Sequence, residues 1–225
     1  MVQTDLPGLT ASKALALAQT WTDGGLWNDV LWLARRCWQI DEPTALALRW
    51  HHLVLAVGNF KRQRGRRLHP SRIDDIEQPV PVLGERFTLP SGLVVERESQ
   101  SSWQQLKSAL PGAGLATTTA LLAALWPEHH FVFDWRVHSA ADALRIHAHL
   151  APSPSTELEM EGRRGVAEDF TDYATVRGWL GTIACPLVVC ERALYRLSQK
   201  VPSVEGRSWM DYASEIASKL ECVDL

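Results

Sequence analysis

The chain has 225 residues, 46% hydrophobic and 22% charged, which is typical of a folded globular protein with one large domain or two small ones. Its net charge of −3 excludes binding of a polyanion through overall positive charge, so any such contact must be local. No His or Cys set has metal-ligand spacing, and we therefore expect no metal and no cofactor.

The N-terminal segment and the apolar runs carry no pattern typical of a signal peptide or a membrane span. The first ten residues lack a basic region followed by an apolar run, and every longer apolar stretch is broken by charges before it reaches membrane-spanning length. The four cysteines fit free thiols in a reducing compartment. We therefore expect a cytoplasmic protein with no membrane contact.

Residues 1–70 are predicted to form helices, because apolar residues recur there at i, i+3 and i+4. Pro43 is expected in the first turn of the third helix, and Gly58 is expected just after its end. The predicted helices cover residues 9–22, 26–38 and 43–57.

A strongly basic run follows at residues 59–67 and includes Lys61, Arg62 and Arg64. It is interpreted either as a solvated loop or as a segment that contacts phosphates, because Lys and Arg supply much of the affinity of proteins for DNA.

The rest of the chain predicts a mainly α fold with one small β-hairpin. Prolines in residues 71–100 exclude a long helix, and turn residues 90–92 between two short alternating segments predict the hairpin. Residues 151–169 are expected to be an irregular insertion because they are rich in Pro and Gly. The closing helices are expected in residues 170–225, with an interruption at Pro186 and a final helix over 208–220.

A short turn joins two predicted helices, 103–110 and 115–125. Its sequence is Leu110-Pro111-Gly112-Ala113-Gly114, and glycines there leave backbone N–H groups uncovered at the start of the second helix. Gly112, Gly114 and a hydroxyl of Thr117 or Thr118 are therefore candidates for binding a DNA phosphate. A generic helix turn remains the alternative.

An aspartate follows the second of these helices. The apolar triplet 131–133 is expected to be buried and to bring Asp134 to the head of a helix over 135–150. The carboxylate is predicted to cap that helix, and a carboxylate held there can also stabilise a positively charged sugar.

The turn 110–114, the apolar helix after it, a Pro-containing loop and Asp134 together resemble the helix-hairpin-helix–Gly/Pro–Asp superfamily of DNA glycosylases. The separation of 24 positions between Leu110 and Asp134 matches the family spacing from hairpin leucine to catalytic aspartate. Residues 189–195 also resemble the closing helix of members with an oxoguanine-glycosylase-like fold. The resemblance implies one glycosylase domain over 1–225, with the hairpin and catalytic residue in 101–150.

The resemblance implies that Asp134 is the catalytic carboxylate and that Gly112 and Gly114 are the hairpin glycines. The position of the lysine nucleophile of bifunctional members falls at Ala116, so a monofunctional enzyme that uses water is expected. Trp135, Arg136 and His138 are candidate pocket residues, and Arg136 is expected to hold the carboxylate or a phosphate, or to form a structural salt bridge.

The expected partner is double-stranded DNA that contains a modified base, and the expected oligomeric state is a monomer. The base is either oxidised or alkylated by damage, or a hypermodified base of a phage genome, in which case the role is antiviral defence. Two other interpretations stay open: a non-catalytic helix-hairpin-helix DNA-binding protein, and a helical interaction module with no role on DNA.

Overall fold

The computed structural model of the chain describes residues 6–20, 26–61, 83–110, 113–160, 170–199 and 209–220. Within these ranges the fold is mainly helical with one two-stranded antiparallel sheet, as the sequence predicts. The elements are α1 Ala11–Gln19, α2 Leu26–Trp38, α3 Pro43–Lys61, β1 Arg86–Thr88, β2 Val94–Glu96, α4 Gln100–Ala109, α5 Leu115–Leu125, α6 Trp135–His147, α7 Pro154–Met160, α8 Phe170–Leu180, α9 Leu187–Ser198 and α10 Trp209–Leu220.

The chain divides into two compact units. The first consists of Met1–Trp21 with Phe131–Leu225, and the second consists of Thr22–His130. The boundary follows α5 and places α6 and the later helices with α1. The single glycosylase domain stays a prediction.

The second unit is built around α5, which packs against α2, α3 and α4. Every residue from Thr118 to Leu125 is buried, because α5 is apolar on all sides and has helices packed around it. Trp126 ends this helix, is 1% exposed, and donates from Nε1 to the carbonyl of Gly84 at 2.7 Å. Burial of so large an indole is stable here because its only polar group has an acceptor.

The β-hairpin has the register Arg86↔Glu96, Phe87↔Val95, Thr88↔Val94, which confirms the predicted hairpin. Its turn places Gly92 at φ +82°, a conformation that favours glycine. Phe87 and Val95 are buried on one face, and Phe87 contacts Trp38 and Trp50 at centroid distances of 4.9 and 5.8 Å. Alternation along each strand therefore fixes which face of the hairpin packs on the helices.

In the first unit, α6 packs against α8, α9 and α10, while α1 packs against α9. The segment before α6 is apolar, and Phe131, Val132 and Phe133 are all buried, as predicted. Tyr173 of α8 contacts both phenylalanine rings, at 5.1 and 5.7 Å. This packing holds the start of α6 in place.

Two helix boundaries in the second unit differ from the prediction. Gly58 does not end α3, which continues to Lys61, so residues 59–61 are helical and not part of a loop. Phe60 contacts Trp27 at 4.8 Å, and this packing favours the extra turn over a glycine stop. Helix α4 begins three residues earlier than expected, because the Ser99 hydroxyl accepts from the backbone N–H of Ser102.

The expectation of an irregular segment over 151–169 is wrong in its first half, where α7 forms. Two buried carboxylates stabilise the start of this helix: Asp142 accepts from the backbone N–H of Ser153 at 2.7 Å, and Asp172 accepts from that of Ser155 at 3.0 Å. Residues 161–169 lie outside the described part of the chain. Helix α6 ends at His147, earlier than expected, and His149 follows with φ 56°.

Helices α8 and α9 are separated at residues 181–186, as predicted from Pro186, and α10 matches the predicted final helix closely. Among the described residues, no helix combines the length and the apolar character needed to cross a membrane.

Candidate functional site

The α4–α5 connection occupies residues 110–114, of which Pro111 and Gly112 lie outside the described residues. The Ala113 N–H donates to the Leu110 carbonyl at 2.9 Å, so the chain turns tightly after α4. Gly114 is the N-cap of α5 with φ −77° and ψ 176°, and it supplies no side-chain cap. The N–H groups of Thr117 and Thr118 donate to the Gly114 carbonyl, both at 3.1 Å, and the cap residue supplies no side-chain oxygen to the first turn of α5.

The two threonines considered for phosphate contact differ in exposure. Thr118 is completely buried, and its hydroxyl donates to the Gly114 carbonyl at 3.2 Å. Thr117 is half-buried and is the more exposed residue of the two. Lys61 is the last residue of α3 and half-buried, while Arg62 and Arg64 lie outside the described residues.

Asp134 is the N-cap of α6, as predicted. Its Oδ1 accepts from the backbone N–H groups of Arg136 and Val137, both at 3.1 Å, and its backbone is extended. The residue is half-buried, so the carboxylate is held by the helix start without being enclosed. Two N–H donors and the helix dipole together stabilise a negative charge at this position.

Trp135 and Arg136 form an aromatic and cationic cluster beside Asp134. The Arg136 guanidinium lies 4.6 Å from the centroid of the Trp135 ring and 5.7 Å from that of Tyr195 in α9. Tyr212 of α10 contacts Trp135 with T-shaped geometry at 5.0 Å. Trp135 is 36% exposed. Arg136 makes no salt bridge with another described residue, so its observed contacts are with aromatic rings.

His138 lies in the interior and not at the surface. It is 2% exposed, contacts Phe133 at 5.2 Å, and its Nε2 is hydrogen-bonded to the Ser153 hydroxyl and lies 3.2 Å from Asp142 Oδ2. The Ser153 and Thr156 hydroxyls both donate to the same carboxylate oxygen. The group combines the residue types of a hydrolytic triad, yet one nitrogen serves both partners and Ser153 is fully buried. It is arranged to hold α7 against α6.

The pKa of the Asp142 carboxyl is subject to opposing effects. Burial by itself raises this pKa, but the charge and hydrogen bond of His138, with bonds from Thr156 and Ser153, hold it below its usual value.

The buried thiols behave differently, since burial raises the pKa of Cys37 and of Cys190 to about 12. Neither thiol is suited to act as a nucleophile.

The hairpin of the second unit carries a cavity of about 360 Å³ that contains none of the predicted site residues. It is lined by three glutamates, two arginines and a serine: Glu85, Glu96, Glu98, Arg86, Arg97 and Ser99. Its acidic side chains are partly neutralised, because Arg86 pairs with Glu96 at 2.9 Å and Arg97 pairs with Glu85 at 3.4 Å.

The sequence did not point to Tyr195, Tyr212 or Ser153 as neighbours of the predicted site residues. Tyr195 lies in α9, and its position along that helix carries no information about which side chain of another helix it contacts. Long-range packing alone brings it to Arg136. Among the tryptophans whose side chains the structure describes, only Trp135 is exposed.

Comparisons of the chain with protein-family models, with curated proteins and with solved structures found no match. Within the described residues, no group of three or more His, Cys, Asp or Glu side chains is arranged to hold a metal ion.

Proposed function

We propose that this protein is a monofunctional DNA glycosylase that hydrolyses the N-glycosidic bond of a modified base in duplex DNA, with Asp134 as its catalytic carboxylate. The observation that carries this proposal is the capping geometry of Asp134. A half-exposed carboxylate is held by two backbone N–H donors at the start of α6, directly after a buried apolar segment. Such a charge is fixed in position before any substrate arrives.

The reaction assigned to Asp134 needs one anion and one water molecule. When the bond between C1′ and the base nitrogen breaks, its electron pair leaves with the base and positive charge develops on the deoxyribose. The carboxylate stabilises that charge and takes a proton from the water whose oxygen bonds to C1′. The target nucleotide must first leave the base stack, since its glycosidic bond is inaccessible within the duplex.

DNA binding in this proposal relies on local contacts. The first turn of α5, uncapped by a side chain at Gly114, offers backbone N–H groups to a phosphate, and the half-buried Thr117 offers a hydroxyl. Lys61 and the basic residues after it, Arg62 and Arg64, supply positive charge. These two sets of local contacts explain how a chain of net charge −3 can bind a polyanion.

The test is release of free bases from damaged, plain and phage DNA, measured by mass spectrometry for the wild type and for Asp134→Asn. The wild type should release at least one modified base, and the variant should not. Asp211→Asn is the matched control, because it removes an exposed carboxylate from the first turn of α10 in the same unit. Base release at the wild-type rate by a folded Asp134→Asn protein would rule out this assignment.

A second candidate is a DNA-binding protein without catalysis. The observation that favours it is that α4 and α5 belong to the unit Thr22–His130, whereas Asp134 belongs to the other unit. A binding role needs only the connection between α4 and α5. Salt-dependent binding of duplex DNA, with no base released from any of the three DNA samples, would support this candidate.

A further inference from the structure

The cluster of Trp135, Arg136 and Tyr195 adjoins Asp134 on the same unit. Arg136 is two residues beyond Asp134 and donates its backbone N–H to Oδ1 of that carboxylate, so both residues belong to one helical turn. The guanidinium packs over two aromatic rings, at 4.6 and 5.7 Å from their centroids. Cation–π contacts of this kind hold a guanidinium in place.

The positive charge of Arg136 is not neutralised by an ion pair with any described residue. Within the described residues, the contacts of its guanidinium are with the two rings. A guanidinium packed over aromatic faces keeps its N–H donors along its edge. The result is a guanidinium held over two aromatic rings, on a residue that lies two positions after the proposed catalytic carboxylate.

We propose, resting on the glycosylase function above, that this cluster selects a neutral base with carbonyl or ring-nitrogen acceptors and disfavours a base that carries a positive charge. Arginine donors match acceptor edges such as those of a guanine-type base. Recognition of a cationic base would instead require an open aromatic face, and Arg136 already occupies one face of Trp135. The inference favours oxidised or otherwise neutral modified bases over alkylated purines that carry positive charge.

The size of the effect follows from Coulomb's law. We take the Arg136 guanidinium and a cationic base to be about 10 Å apart at an effective dielectric constant of about 20. Their repulsion then changes binding on the order of tenfold. Asp134 attracts a cationic base, but its contribution cancels when two proteins that differ only at position 136 are compared. The comparison therefore isolates the contribution of the guanidinium.

The experiment uses duplexes that contain either 8-oxoguanine, which is neutral, or 7-methylguanine, assayed at slightly acidic pH where its ring keeps a positive charge. Base release is measured for the wild type, Arg136→Gln and Arg136→Lys. Affinity is measured by fluorescence anisotropy in the Asp134→Asn background, where no chemistry is needed. The release ratio and the affinity ratio each compare the 7-methylguanine duplex with the 8-oxoguanine duplex. Arg136→Gln should shift both ratios about tenfold towards the methylated duplex. Arg136→Lys should shift them less.

Arg36→Gln is the matched control, because Arg36 also packs over an indole, 5.5 Å from Trp32, but in the other unit. It should leave both ratios unchanged. Failures of the two proposals give different results. If bases are released but Arg136→Gln leaves both ratios as in the wild type, the recognition proposal is overturned and catalysis stands. If no base is released but the affinity ratio shifts, catalysis fails and recognition stands.

Discussion

Asp134 has two roles in this account, a cap for α6 and a catalytic anion, and two substitutions separate them. Asparagine caps helices about as well as aspartate, so Asp134→Asn should keep the bonds to the N–H groups of Arg136 and Val137. Asp134→Ala removes both bonds and should cost about 1 kcal/mol of the free energy of unfolding. Loss of the charge alone from the helix start should cost roughly 0.3–1 kcal/mol.

The catalytic effect should be much larger than either stability effect. A carboxylate about 4 Å from a positively charged sugar contributes about 4 kcal/mol at an effective dielectric constant of about 20. That energy corresponds to a fall in rate of about a thousandfold. Because neither replacement carries a negative charge, both variants should lose activity to a similar extent.

Urea denaturation followed by circular dichroism measures the stability of each variant, and single-turnover base release measures the rate. The expected pattern is a small loss of stability for Asp134→Asn, a larger one for Asp134→Ala, and equal loss of rate. If Asp134→Asn destabilised the protein as much as Asp134→Ala, the capping argument would be refuted. If either variant kept the wild-type rate, the catalytic argument would be refuted.

Three further predictions concern the buried carboxylate, the buried indole and the α5 N-cap. Asp142→Asn should cost about 2–3 kcal/mol, because the buried hydrogen bonds that the carboxylate accepts from Ser153 and Thr156 are lost or weakened. In the wild type this contribution is complete above the ordinary carboxyl pKa of 3.8 and is lost as the pH falls towards the lower folded-state pKa. Trp126→Phe should cost about 1–3 kcal/mol, because the hydrogen bond from its Nε1 to the Gly84 carbonyl is lost and the smaller ring leaves a gap in the buried packing. Gly114→Val should weaken binding of duplex DNA about tenfold with little change in stability.

Each of these has a matched control. Asp211→Asn removes an exposed carboxylate from the first turn of a helix and should cost at most about 1 kcal/mol, less than Asp142→Asn. Trp50→Phe replaces a half-buried indole and should cost less than Trp126→Phe. Gly178→Val alters a helical glycine with open space around it and should leave DNA affinity unchanged. Equal effects in a variant and its control would contradict the corresponding prediction.

Elements set by local chemistry were predictable from the chain. Helix α5 matches the prediction residue for residue, because an apolar run lies between a glycine turn and a proline. The hairpin was predictable because turn residues lie between two short alternating segments. The cap at Asp134 was predictable because an acid after a buried triplet and before a helical pattern has one obvious local partner, the first-turn N–H groups.

Only the tertiary structure decided which distant side chains meet. The extension of α3 past Gly58 depends on packing of Phe60 against Trp27, and α7 depends on the carboxylates of Asp142 and Asp172. In α3 the packing outweighs the weak preference of glycine for ending a helix. In α7 the first residue, Pro154, suits a helix start, and the two buried carboxylates hold the segment in place.

The chain order by itself determined an acid at the start of α6 and a glycine at the start of α5. Folding decided the surroundings of that acid: an interior His138 and a guanidinium between Trp135 and Tyr195. Helix caps depend on neighbours three or four residues away, whereas these contacts join separate helices, and periodicity along one helix contains no information about the register of another.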